Sequence, residues 1–196
     1  MTSSNQANEH LVQMLKQFSE QYVAAYQKIH GCLPAVEHDK EWPSPCELHA
    51  NEQNPLPQGE VYWQPVVIEK SEKLSFDNVE SALELTLHED IKQYFTFFYS
   101  ESLHAQCDEG ELSLLFSWNK NDFERLQENL IGHILMKKRL KQKETIFFAV
   151  TDEEDMIISV DNTSGSVWVE RVGCKPHKQI SDSLAQFISQ LTPVIK

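Results

Sequence analysis

Apolar residues fall three and four apart from Gln6 to Ile29, at Leu11, Leu15, Phe18, Tyr22, Tyr26 and Ile29, and that spacing predicts one amphipathic helix. From Gly31 to Pro65 the rhythm breaks, and six of the eight prolines fall there. Proline removes a backbone donor and fixes φ, so this stretch reads as irregular chain without long regular elements. It should still be ordered, because Trp42, Tyr62 and Trp63 are too apolar to leave in water. Asp77-Asn78-Val79-Glu80 has the spacing of a capping box, which predicts one or two helices running to about Tyr99 with Ile91, Tyr94, Phe95 and Phe98 turned inward.

After Tyr99 the period changes. LHAQCDEGELSLLFSW predicts two strands joined at Asp108-Glu109-Gly110, with glycine where a hairpin needs positive φ. A helix follows, with Asn121 as its cap, Glu124 three residues on, and a stripe of Phe123, Leu126, Leu130, Ile134 and the Leu135 side. TIFFAVT, MIISVD and SVWVERV are β-branched and aromatic and are separated by the turn-like DEED and NTSG, which predicts three more strands. Ser181 to Leu191 closes the chain as a short helix with Leu184, Phe187, Ile188 and Leu191 on one face. The expected class is α+β: a single domain over residues 1–196, with an antiparallel sheet of about five strands and helices at the start, middle and end of the chain. The 196 residues suffice to bury one core.

Charge alters the picture of partners. The formal net charge is -13, and it is uneven: residues 1–110 hold eighteen acids against six bases, and the remainder twelve against eleven. Such a surplus repels phosphate backbones and selects cationic partners, which argues against nucleic acid. The exception is the run Lys137, Lys138, Arg139, Lys141 at the end of the helix that begins near Asn121. Cations there complement the negative end of the helix dipole and its unpaired carbonyls, and that role accounts for them; lipid contact is a lesser use. No window approaches the roughly 18 consecutive apolar residues of a bilayer crossing, so a soluble cytoplasmic protein is expected. Cys32, Cys46, Cys107 and Cys174 lie far apart without a CxxC pair and are expected to be reduced thiols.

Two chemistries can be written from these residues. Cys46-x-x-His49 and His104-x-x-Cys107 supply the ligand types of a tetrahedral zinc site, but the pairs are far apart along the chain, so no metal is expected. A thiol hydrolase would use Cys46 with His49 or His104 as base, yet nothing in the sequence places a base or an orienting group beside the thiol. There is no GxSxG, phosphate-cradling glycine loop or HExxH. The expectation is a non-catalytic protein without cofactors.

PSPC at Pro43 to Cys46, VYWQP at Val61 to Pro65, HAQ at His104 to Gln106, and NDF followed by ERLQENLIGH and KKRLK together resemble Syd, the SecY-interacting protein family, within the Smi1/Knr4-like superfamily. The likeness runs from the first helix to the terminal ISDSLAQFISQL. It implies an α+β protein that docks through an acidic concave surface on the basic cytosolic loops of the translocon subunit SecY. By the same resemblance it would be peripheral on the cytoplasmic face of the inner membrane, touching the membrane only through SecY, with a role in translocon quality control or regulation; a monomer is expected. The fold also admits an immunity-type protein that neutralises a basic toxin. For docking, the expected residues are Glu37, Asp39, Glu41 and Glu47, with Glu60 beside the Tyr-Trp pair and Trp42 or Trp63 as aromatic anchor.

Overall fold

A computed structural model describes residues 2–49 and 56–196, with side chains from Glu9 onward. In chain order the elements are α1 (Thr2–His30), β1 (Ala35–Glu37), β2 (Glu47–Leu48), β3 (Glu60–Trp63), β4 (Val66–Val67), α2 (Asp77–Leu83), α3 (Glu89–Phe97), β5 (Phe98–Tyr99), β6 (Leu103–Cys107), β7 (Gly110–Leu114), α4 (Lys120–Arg139), β8 (Thr145–Thr151), β9 (Met156–Asp161), β10 (Val167–Arg171), β11 (Lys178–Ser181), α5 (Leu184–Ser189) and β12 (Thr192–Pro193). The α+β class holds.

The main sheet is antiparallel and has seven strands in the order β11-β10-β9-β8-β7-β6-β12. Two of them, β11 and β12, were not expected, because KQIS and TP are too short and too polar to carry a period of two. Successive residues of β8 show how the sheet is covered. Phe147 meets the His133 ring of α4 at 5.4 Å, whereas Phe148 meets Tyr94 of α3 at 5.5 Å and Phe187 of α5 at 5.8 Å. Side chains one apart on a strand point to opposite faces, so helices cover both. Burial on both faces is why TIFFAV and MIISV read as apolar runs rather than alternations.

α1 packs on α3 and α5 through Leu11, Leu15, Phe18 and Tyr22, all buried as expected. Ile29 was placed on the same stripe but is 63% exposed, because the helix has by then run past the structure it packs on. α4 lies against β8 and α2 with Phe123, Leu130 and Ile134 inside. Leu135, placed on that side by its spacing, points outward.

The irregular stretch from Gly31 to Pro65 holds a small sheet in the order β1-β3-β2, with strands of two to four residues. The expectation of no long elements stands, and the strands that do form are below the length at which a pattern can be seen. Ala50 to Pro55 lie outside the described residues.

Three local expectations are corrected. α4 is capped by Asn119, whose side chain accepts from the Asp122 amide at 2.9 Å, and Asn121 is an exposed residue inside the helix. α2 begins at Asp77 without any side-chain cap, and Glu80 accepts instead from the Leu87 amide at 2.8 Å, so the capping box is not formed. Lys137 is not a solvated end charge. It is wholly buried, and its ammonium donates to Glu170 at 2.6 Å and to the Cys174 carbonyl at 3.0 Å. Lys138 does serve a helix terminus, but that of α2, by donating to the Leu83 carbonyl at 2.5 Å.

Candidate functional site

The residues from His38 to Glu47 are folded by their own polar groups. The Asp39 carboxylate accepts from the Glu41 amide at 2.8 Å and its carbonyl from the Trp42 amide at 3.0 Å, which makes a tight turn. Two contacts then fasten this turn to the start of α4. Asn119 donates from its side-chain amide to the Pro43 carbonyl at 2.9 Å, and the Ser44 hydroxyl donates to the Trp118 carbonyl. Asp122 completes the mount by accepting from the Trp118 amide at 2.9 Å.

Between the turn and the helix lies a cleft of about 340 Å³, lined by Glu37, Asp39, Glu101 and Asp122 with Trp42, Trp118, Val36 and Phe116. Four carboxylates and no cation line it. Glu101 feels this directly. Burial raises its carboxyl above the ordinary range, the Ser102 amide partly offsets that, and the Asp122 charge raises it further. Glu37 and Glu60 add to the same field, because they are directly paired across β1 and β3 and both are exposed. Like charges opposite each other on a strand pair cost roughly 0.2–1 kcal/mol, and a cationic partner would relieve that cost. Glu41, between Asp39 and Trp42 in the chain, is exposed and does not line the cleft.

Trp42 is half-buried, with the Arg125 guanidinium 5.2 Å from its ring centroid. That contact fixes the indole while leaving part of it for a partner. Of the seven expected docking residues, the structure thus brings Glu37, Asp39 and Trp42 into one cleft and leaves Glu41 and Glu60 exposed. The other two are structural. Trp63 is 4% exposed and packs edge-on against Trp118 at 6.2 Å. The Glu47 side chain is 6% exposed and is spent on His38 Nδ1, which donates at 2.9 Å, and on the Ser44 amide at 3.3 Å.

Glu101 and Asp122 were missed. Asp122 carried a signal, being an acid three residues after a capping asparagine, and placing the cap at Asn121 hid it. Glu101 carried none; only the tertiary fold brings it to the cleft.

Burial pushes the Cys46 thiol up to about 11, the opposite of an activated nucleophile. His104 is engaged with Ser113 Oγ at 2.8 Å across the β6–β7 pair. Among the described residues no three His, Cys, Asp or Glu side chains converge as a metal site. Among the same residues no helix is long and apolar enough to cross a membrane.

Comparison with known proteins agrees over nearly the whole chain. The family model described as Syd protein (SUKH-2) matches residues 12–193. A Protein Syd from Colwellia psychrerythraea is 60% identical over 199 aligned residues, covering 98% of this chain and 96% of that protein. A Protein Syd from Pseudoalteromonas atlantica is 46% identical over 170 residues, with 87% and 89% covered. One from Pectobacterium atrosepticum is 40% identical over 184 residues, with 94% and 97% covered.

Proposed function

The chain belongs to the Syd family, and on that premise we propose that it is a non-catalytic binding module that docks on the basic cytosolic loops of SecY. It is held peripherally at the cytoplasmic face of the inner membrane and acts there in quality control or regulation of the translocon. The observation that carries this reading is the cleft walled by four carboxylates without a counterion of its own. Cytosolic loops of membrane proteins are enriched in Lys and Arg, so they supply the charge the cleft lacks.

Glu37, Asp39, Glu101 and Asp122 receive the cations, Glu41 and Glu60 steer the approach, and Trp42 supplies the aromatic contact. Steering of this kind weakens as salt shortens the Debye length to about 8–10 Å near physiological strength.

The test is co-sedimentation of the purified protein with inner-membrane vesicles containing overproduced SecY, against ordinary vesicles and protein-free liposomes of the same lipids. Retention that scales with SecY, falls with salt, and is lost in Glu37→Gln/Asp39→Asn/Asp122→Asn is the expected result. Retention indifferent to SecY, salt and these substitutions would overturn it. Binding of a soluble basic toxin in place of SecY would move the protein to the immunity-type reading.

A further inference from the structure

A second cavity, of about 320 Å³, opens where the chain leaves α4 and where the β10–β11 hairpin turns, and its charge is opposite to that of the cleft. Lys141, Lys143 and Lys175 surround it, with Trp168 and Pro176 as apolar wall and Asp161 as the one acid. No carboxylate lies within 4 Å of any of the three ammonium groups among the described residues. Asp161 accepts from the amides of Thr163 and Ser164 and from the Ser164 hydroxyl, and Lys143 acts on it by charge without a direct ion pair, so one acid faces three lysines.

The two sides of the cavity are held in place. Gln142 donates to the Gly173 carbonyl at 3.1 Å and Lys137 to that of Cys174 at 3.0 Å, which ties the segment after α4 to the hairpin. Lys141 sits in the left-handed region at φ 54, where a lysine is uncommon, and the Gln142 amide closes the turn on the Lys137 carbonyl at 3.0 Å. Leu140, next to Lys141 in the chain, is 47% exposed, and Val172, next to Gly173 of the β10–β11 turn, is exposed as well.

We propose that Lys141, Lys143, Lys175 and Trp168 form a site for the phosphate of an anionic phospholipid headgroup, through which this protein touches the bilayer directly. Lysines around an indole, with a bare leucine next to one of them in the chain, make the combination that sits at a headgroup boundary. A soluble nucleotide or sugar phosphate fits less well, because Gln142 is already committed and the lysines alone are left to bind, with no hydrogen-bonding amide or hydroxyl to select a base or sugar. The acidity of the whole chain does not forbid contact, since charges beyond about 10 Å are screened and the local lysines govern the approach.

The experiment uses the whole protein at about 0.1 M ionic strength, where the Debye length is about 10 Å, with vesicles of equimolar phosphatidylglycerol and phosphatidylcholine against pure phosphatidylcholine. These vesicles carry no SecY, so the outcome is separate from that of the docking reading. The expected result is retention on the anionic vesicles alone, with a drop of about fivefold per lysine removed and roughly a hundredfold in Lys141→Gln/Lys143→Gln/Lys175→Gln. Lys28→Gln/Lys40→Gln/Lys70→Gln changes the net charge equally at exposed positions elsewhere and is expected to retain binding. Absence of retention, or equal loss in the two triple variants, would overturn the site. Calorimetric binding of soluble glycerol 3-phosphate as tight as that of the vesicles would overturn the lipid assignment in favour of a free phosphate ligand.

Discussion

The Lys137 ammonium lies 2.6 Å from the Glu170 carboxylate, and the two side chains are 1% and 0% exposed. The other Glu170 oxygen accepts from the Thr145 hydroxyl at 2.7 Å, so the buried carboxylate is satisfied on both sides. Removing one partner leaves an uncompensated charge in the core. Lys137→Met alone is expected to cost about 3–5 kcal/mol, whereas Lys137→Met/Glu170→Met recovers most of the loss, as buried ion pairs replaced by apolar groups do. Urea unfolding of the four proteins of the double-mutant cycle checks it.

His133 reaches into the same network, its Nε2 3.3 Å from the Thr145 hydroxyl and 3.6 Å from Glu170. Burial lowers its pKa below the ordinary histidine value, Glu170 pulls it partly back, and Lys137 lowers it again. The unfolded chain therefore binds this proton more readily than the folded one. Stability contributed by neutral His133 is full above about pH 6.5 and is lost as pH falls from there toward the folded value. His104, also lowered by burial, slopes the same way. Subtracting the pH–stability curve of His133→Gln from that of the parent isolates the first term, and a flat difference between pH 5 and 7.5 would contradict it.

Glu101 is held in the cleft against burial and against Asp122. Glu101→Gln is expected to leave stability equal or raise it by up to about 0.5 kcal/mol, while weakening association with SecY several-fold at low salt. Because its carboxyl titrates above the ordinary range, its charge disappears early as pH falls from neutrality, and the parent loses affinity there while the variant does not. Thermal melting and vesicle binding at two pH values separate the two effects.

Cys32 and Cys174 are exposed, Cys107 is intermediate and Cys46 is buried with its thiol raised to about 11. At pH 8 the thiolate fraction of Cys46 is roughly a thousandth, against about a quarter for an ordinary thiol. Maleimide labelling followed by mass spectrometry is expected to modify Cys32 and Cys174 first and Cys46 last, with all four equal in denaturant.

Asn119→Ala removes the α4 cap together with the bond to Pro43, and is expected to cost about 1–2 kcal/mol. Asn121→Ala, one turn position inside the helix, is expected to cost no more than a few tenths. Equal effects of the two, read by denaturant midpoint, would mean the cap is misplaced.

Long periodic elements were legible in the sequence. The stripe of α1 from Leu11 to Tyr22, the three apolar strands after Glu144 and the hairpin with Gly110 at φ 133 all stand where their patterns put them. What was not legible depends on partners distant in the chain. Lys137 looked like a solvated end charge because Glu170 is thirty-three residues away. Glu47 looked like a surface group, and Trp63 could be offered as a docking anchor, because nothing local shows that His38 and Trp118 engage them. In the candidate cleft, Glu37, Asp39 and Trp42 could be named from acidity and proline punctuation, whereas Glu101 arrives only with β6 and Asp122 was hidden by a cap assigned two residues late.

The fastening of the proline-rich turn to the start of α4 joins residues 74 and 76 apart in sequence. Such contacts close late in folding, since the entropy of a long loop must be overcome first. A chain still growing on the ribosome and ending before Trp118 therefore carries Glu37, Asp39 and Glu101 without the walls that set them against one another. The acids are synthesised early, but the recognition surface comes into being only when Asn119 and Asp122 have emerged, so an incomplete copy has the charge of the finished protein and none of its shape.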